Sequence, residues 1–193
     1  MEEIVVNIKQ IIPLLLLVGL AACSAHSSGV FRDPNMDFGA IQTIAVMPFS
    51  NETREQTAAD RVRDVFINKL LSTGAAYVQP VGEVRRGIMR AGISDPTAPS
   101  PEEVVKFAGI VKADAVILGS VKEYGEVRSG TSSATSISVS MQMLETQTGR
   151  IVWAASSTKG GITFGDRLLG GGGEPMNIVT EKAVDDIIDK LFK

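Results

Sequence analysis

The sequence predicts an α/β (α+β) fold, a mixed β-sheet with helices packed on it, in the order β-α-β-α-α-β-β-β-α. Three observations carry that expectation. "IQTIAVMPF", Ile41 to Phe49, is a mostly apolar run closed by Pro48, the pattern of a central strand buried on both faces. From Ala58 to Leu71 the apolar period becomes that of a helix. "SISVSMQMLE" then alternates Ile137, Val139, Met141 and Met143 with Ser136, Ser138, Ser140 and Gln142, so one face of that strand is buried and the other is wet or covered by a partner.

Each element has its own signal. In the first helix Val62, Val65, Phe66 and Leu70 fall on one face, Arg61, Arg63, Asp64 and Lys69 are expected to face away, and Gly74 is placed to end it. "AYVQP" reads as a short strand and Val81 to Arg90 as a second helix. In "SPEEVVKFAGIV" Ser100 is an N-cap, Pro101 suits the first turn and Glu103 completes a capping box, which predicts a third helix. "ADAVILGSVKEY" is a strand, and "TQTG" turns the alternating strand into "RIVWAASSTKG", so three strands form an antiparallel meander. After a glycine-rich passage, "VTEKAVDDIIDKLF" closes the chain as an amphipathic helix with Val184, Ile187, Ile188 and Leu191 on its apolar side. Met141, Met143 and Trp153 read as core ahead of an adaptable binding surface, and Arg85, Arg86 and Arg90 as a solvated helix face ahead of a contact for lipid head groups or peptidoglycan.

The amino terminus is of another kind. Ile11 to Ala22 is twelve residues without a charge, preceded by Lys9. That is short of the ~20 residues a permanent bilayer span needs but fits the ~7 to 15 residue apolar core of a secretory signal. It ends in Leu20-Ala21-Ala22-Cys23, which resembles the bacterial lipobox, a branched apolar residue and two small ones before the cysteine that takes the lipid. The resemblance implies that residues 1–22 are removed as a lipoprotein signal peptide and that Cys23 carries the acyl chains. Several chains on one terminus hold stably, since each buried CH₂ contributes ~0.8 kcal/mol and a single chain holds only marginally. Ser24 stands where inner-membrane lipoproteins often carry Asp, which by the same resemblance points to the outer membrane, with the body facing the periplasm. Residues 23–39, rich in Ser, Gly, Asp, Pro and Asn, read as a lipidated flexible tether, and residues 40–193 as a single domain. Cys23 is the one cysteine in 193 residues, so the chain can form no internal disulfide.

"TIAVMPFSNET", "ADAVILGSVKEYGEV" and "SMQMLETQTGRIVWAASSTKGG", in this order and followed by a helix, resemble the periplasmic α/β domain of the CsgG-type lipoproteins. That domain is similar in turn to the amino-terminal domain of TolB and to LpoB, a lipoprotein activator of a peptidoglycan synthase. The resemblance covers about Ile41 to Phe192. It implies a lipid-anchored module for envelope assembly or secretion. The pore hairpins of the CsgG type would fall after Tyr124 and after Gly161, and a membrane strand needs ~9 to 11 residues with alternating apolar positions. Gly125 to Thr135 has Val127 as its one large apolar side chain, and "ITFGDRLLGGGGEP" carries only scattered ones, so a body without its own pore is expected.

Composition removes other classes. With 22 acidic against 19 basic residues, a formal charge of -3 and no basic block, nucleic acid is not an expected partner. The sole histidine, His26, lies on the expected tether, so no Ser-His-Asp or Cys-His arrangement is available in the body. No catalytic residue, metal ligand or cofactor is expected. Glu102-Glu103 suits a helix start and Asp185-Asp186 a solvated helix face. Gly170, Gly171, Gly172 and Gly173 lack the Lys-Ser/Thr pair of a phosphate loop and read, with Arg128, Ser129 and Gly130 in the stretch to Thr135, as partner-contact loops. The expected partners are the membrane, through the acyl chains, and other envelope proteins or further copies of the chain. A synthase activator and a carrier of a small ligand in a closed apolar pocket stand as alternatives.

Overall fold

The computed structural model describes residues 29–129, 132–160 and 173–192. Among them, four helices pack against a seven-stranded mixed sheet that stays open at both edges. The strands are β1 (Val30–Arg32), β2 (Thr43–Val46), β3 (Ser50–Asn51), β4 (Tyr77–Val78), β5 (Ala115–Ser129), β6 (Ser132–Glu145) and β7 (Ile151–Gly160). The helices are α1 (Ala58–Thr73), α2 (Val81–Ala91), α3 (Pro101–Val111) and α4 (Met176–Phe192). The sheet order is β1-β7-β6-β5-β2-β4, with β3 pairing farther along β5. β5, β6, β7 and β1 are antiparallel neighbours, whereas β2, β3 and β4 join by parallel pairing. The predicted fold class and element order hold, with β1 and β3 added to them.

The break between β2 and β3 falls at Pro48, which has no N–H to give to the ladder. Met47 N–H still donates to Ile117 O at 2.9 Å, and pairing resumes at Ser50 opposite Ser120. β2 is buried on both faces as its apolar run predicts: Ile44 and Val46 join the core under α1 and α4, and Ala45 and Met47 the core under α2 and α3. The Asn and Thr that follow have a structural role. Asn51 Nδ2 donates to Glu55 O and Gln56 O, and its Oδ1 accepts from Thr53 N and Oγ1, which closes the loop that leads into α1.

Helix ends follow their sequence signals. Gly74 caps α1 at φ 64°, and Ser100 and Glu103 form the reciprocal capping box of α3 behind Pro101. α4 begins before the predicted run and lies over β6 and β7. Trp153, fully buried, donates its Nε1–H to Lys190 O at 3.1 Å and so ties the sheet to the last turn of that helix.

Three expectations are corrected. Val30–Arg32, placed in the tether by composition, pairs with β7, with Val30 opposite Ala155 and Arg32 opposite Trp153. Arg32 also donates to Leu191 O at 2.9 Å and stacks on the Phe38 ring, so these residues belong to the body. The stretch from Gly125 onward, expected to be loop, continues both strands: Tyr124 to Ser129 pair residue by residue with Ile137 to Ser132. A two-strand ladder pairs the facing backbone groups of its strands whatever the side chains, which is why apolar content did not predict it. Arg63, expected to face solvent, is 7% exposed, with Nε to Met47 O at 2.8 Å and a terminal nitrogen to Val46 O at 2.6 Å. Burial pushes its pKa down against Asp64 and Asp60, which raise it.

Arg63→Ala leaves two buried carbonyls without that donor and is expected to cost about 2 to 4 kcal/mol, read from the urea midpoint. A second test concerns the α4–β7 seam, where Asp186 meets Lys190 at 2.6 Å and Lys159 at 3.2 Å. Burial raises the Asp186 pKa, but hydrogen bonds, chiefly from Lys190, outweigh it and the net direction is down. A depressed carboxylate pKa stabilises the fold above the unfolded value and loses that contribution as pH falls through the folded one. Asp186→Asn is therefore expected to be less stable than the wild-type chain at neutral pH, with the difference in melting temperature vanishing in acid.

Candidate interaction surface

The alternation in β6 decides which part of the sheet the described helices leave uncovered. Ile137, Val139, Met141 and Met143 are buried in the core beneath α1 and α4. On the opposite face Leu144 packs in the core beneath α2 and α3, but those helices rest on β2 and β5. Beyond Leu144 the face continues as Gln142, Ser140 and Ser138, which are half-buried. On β7 the residues opposite them are Ala154, Ser156 and Thr158, and Phe31 on β1 pairs with Ala154. Thr158 Oγ1 donates to Ser138 Oγ at 3.1 Å. The surface is made mostly of small side chains and is flanked by Phe31, 49% exposed, and by the loop holding Thr97 and Ala98.

At one end of this face β5 and β6 run on past β7. Val127 and Arg128 are exposed there, and Arg128 lies 3.4 Å from Glu126. Ser129 pairs with Ser132 at the end of the ladder. Gly173 lies against the same hairpin: a Cβ there would come within 2.8 Å of the Ala134 Cβ and 3.0 Å of Thr135 N. Thr135 Oγ1 donates to Glu174 O. Of the residues assigned to contact loops, Arg128, Ser129 and Gly173 thus come together at one end of the molecule. Gly130, Gly170, Gly171, Gly172, Cys23 and the lipobox residues Leu20, Ala21 and Ala22 lie outside the described residues.

The opposite end carries two clefts. One, of about 360 Å³, is polar, and its charged groups are engaged within the fold: Arg150 pairs with Asp33 at 3.1 Å, and Asp114 accepts the N–H groups of Gln42 and Thr43. The other, of about 320 Å³, is lined by Phe38, Ile41, Ile44, Met143, Leu191 and Phe192. Phe192 in its wall is 48% exposed, so the cleft is not the closed apolar pocket that a ligand carrier predicts. Among the described residues no group of His, Cys, Asp and Glu is placed to hold a metal ion, and no helix is long and apolar enough to cross a membrane.

The family model for GNA1162-like lipoproteins matches residues 38–192, the helices and sheet just described from the turn before β2 onward. The chain belongs to the GNA1162-like lipoprotein family. Its fold is similar to that of lipoprotein GNA1162 from Neisseria meningitidis, at 22% identity and a TM-score of 0.53, covering 77% of this chain and 99% of that one. It is also similar to the PelC dodecamer from Paraburkholderia phytofirmans, at 16% identity and a TM-score of 0.58, covering 84% and 94%. The LpoB C-terminal domain from Salmonella enterica aligns at 19% identity and a TM-score of 0.49, over 65% and 86%. No curated protein sequence matches the chain. Membership agrees with the lipoprotein reading of the sequence, and the recognised α/β domain with the fold. The serine face of "SISVSMQ" is the wet or partner-covered face that its alternation predicts, and what the sequence did not single out is the extension of that face over β7 and β1.

Gly160, at φ 82°, lies where β7 passes the hairpin, and a Cβ there would stand 2.1 Å from Thr135 O. Gly160→Ala is expected to cost about 1 to 3 kcal/mol and to raise hydrogen exchange in residues 133–137 above the change elsewhere.

Proposed function

We propose that this protein is a lipoprotein anchored through Cys23 to the outer membrane, with its α/β body facing the periplasm, and that it works without catalysis as an assembly module. The observation that carries the reading is the half-face of the sheet formed by β6, β7 and β1, which no described helix covers and whose small side chains allow close approach of another backbone. The lipobox-like end of the signal-length run and membership of a lipoprotein family support the anchor. Loss of the signal peptide removes Glu2, Glu3 and Lys9 and leaves a formal charge of -2.

Anchoring confines the body to a thin layer and raises its effective concentration, so modest contacts suffice for assembly. PelC, similar in fold, is a dodecamer. A like use of this fold would have copies of the chain meet through the uncovered face, and contacts between different patches generate closed rings when the rotation allows. Other envelope proteins could be held on the same face, with no pore of its own, no nucleic acid and no cofactor required.

The test uses the acylated chain in mild detergent. Sedimentation is expected to show an oligomer, and Ser140→Arg with Ser156→Arg to reduce it to the monomer at an unchanged melting temperature. An oligomer that survives both substitutions would remove the sheet face as the interface. Membrane fractionation of Cys23→Ala is expected to release the body into the soluble periplasmic fraction.

A further inference from the structure

The direction in which the chain leaves the body sets how the body stands on its membrane. β1 is antiparallel to β7, and Val30 lies opposite Ala155, so the residues before Val30 leave toward the Gly160 end of β7. The β5–β6 hairpin projects toward that same end, because Ser136 on β6 pairs with Gly160 and residues 132–135 lie beyond it. The clefts and the turn after Glu145 are at the other end.

Lengths then decide what touches. Cys23 is seven residues from Val30. Fully extended, that chain spans no more than about 24 Å, at ~3.5 Å per residue. Ala155, opposite Val30, pairs with Met141 on β6, and the ladder ends at Ser132, nine residues on. At ~3.3 Å per residue the hairpin reaches about 30 Å beyond the level of Val30. A body whose tether leaves along β1 therefore brings the hairpin to the bilayer before the tether is taut.

The exposed groups at that end suit a lipid surface and not a span. Val127 is 44% exposed and Arg128 is exposed beside it, in a 3.4 Å pair with the exposed Glu126 that a phosphate would replace, while the partnered strand offers Ser133 and Thr135. A guanidinium donates to phosphate oxygens in charge-assisted pairs, and a single valine inserts shallowly. The polar strand residues oppose deeper entry. Resting on the proposed anchor at Cys23, we infer that the end of the β5–β6 hairpin, through Val127 and Arg128, lies against the phosphate headgroups of the membrane that holds the acyl chains. The short tether thus acts as a ruler that fixes orientation, and the cleft end points away from the membrane.

The experiment uses the full acylated chain on phosphatidylethanolamine–phosphatidylglycerol vesicles that carry a headgroup quencher. Acylation consumes Cys23, so a cysteine introduced by Ser133→Cys, opposite Arg128, or by Thr148→Cys at the far end, is the only free thiol for a fluorescent label. The label at 133 is expected to be quenched several-fold more than the label at 148. A Gly/Ser insertion between Ser28 and Gly29 that doubles the reach, or Val127→Asp with Arg128→Glu in the reporter chain, is expected to abolish the difference while the protein still floats with the vesicles. Equal quenching at 133 and 148 in a chain that floats only when Cys23 is present would overturn the orientation and leave the anchor standing. Flotation unchanged by Cys23→Ala would overturn the anchor, and the orientation with it.

Discussion

The structure depends on the two faces of β6. A strand that alternates apolar and small polar residues can bury only one face at a gain, and Ile137, Val139, Met141 and Met143 commit that face to α1 and α4. A slip of one residue in its pairing would bring the serines into that core. Trp153 and Ala155 on β7 sit opposite Met143 and Met141 and complete the same layer. The other helices can then cover only the part of the second face that is apolar, around Ala45, Met47, Val116 and Leu144. That the described helices leave β6 and β7 uncovered on this face follows from the sequence of one strand.

Two polar side chains serve the backbone around the break in the sheet. Arg63 reaches from α1 to the carbonyls of Val46 and Met47 where Pro48 interrupts the ladder, so a charged side chain takes up bonding capacity beside the break. Asn51 does the same for the loop before α1. The apolar-strand, Pro, Phe, Asn, Thr signature thus marks a strand that stops, turns and enters a helix. A catalytic role is not needed to explain it.

The polarity of the sheet gives the molecule two ends of different character. The β5–β6 hairpin, Gly173 and the exit of the amino-terminal chain share one end, and the clefts, the turn after Glu145 and the last turn of α4 share the other. In the proposed anchored state these become the membrane-facing and outward-facing ends, and the uncovered sheet face stands upright between them, open to neighbours held in the same plane. Membrane contact and lateral assembly then use different surfaces and do not compete.

Period and punctuation determined much of this protein in the sequence alone. The apolar run before Pro48, the helical spacing around Phe66, the Ser100–Glu103 box and the alternation through Met143 each reflect a local physical preference, and the elements stand where those preferences put them. Cys23 as the proposed acylated residue rests on a different kind of signal, a short linear motif that resembles the lipobox. Tertiary structure alone decided that Val30–Arg32 is a strand and not tether, since three residues gain their pairing only from the edge of β7. It also decided that Arg63 points inward, since its acceptors lie sixteen and seventeen residues away, and that the hairpin ladder continues through residues with little apolar content. These features depend on hydrogen-bond partners supplied from elsewhere in the chain, and no local periodicity encodes a partner.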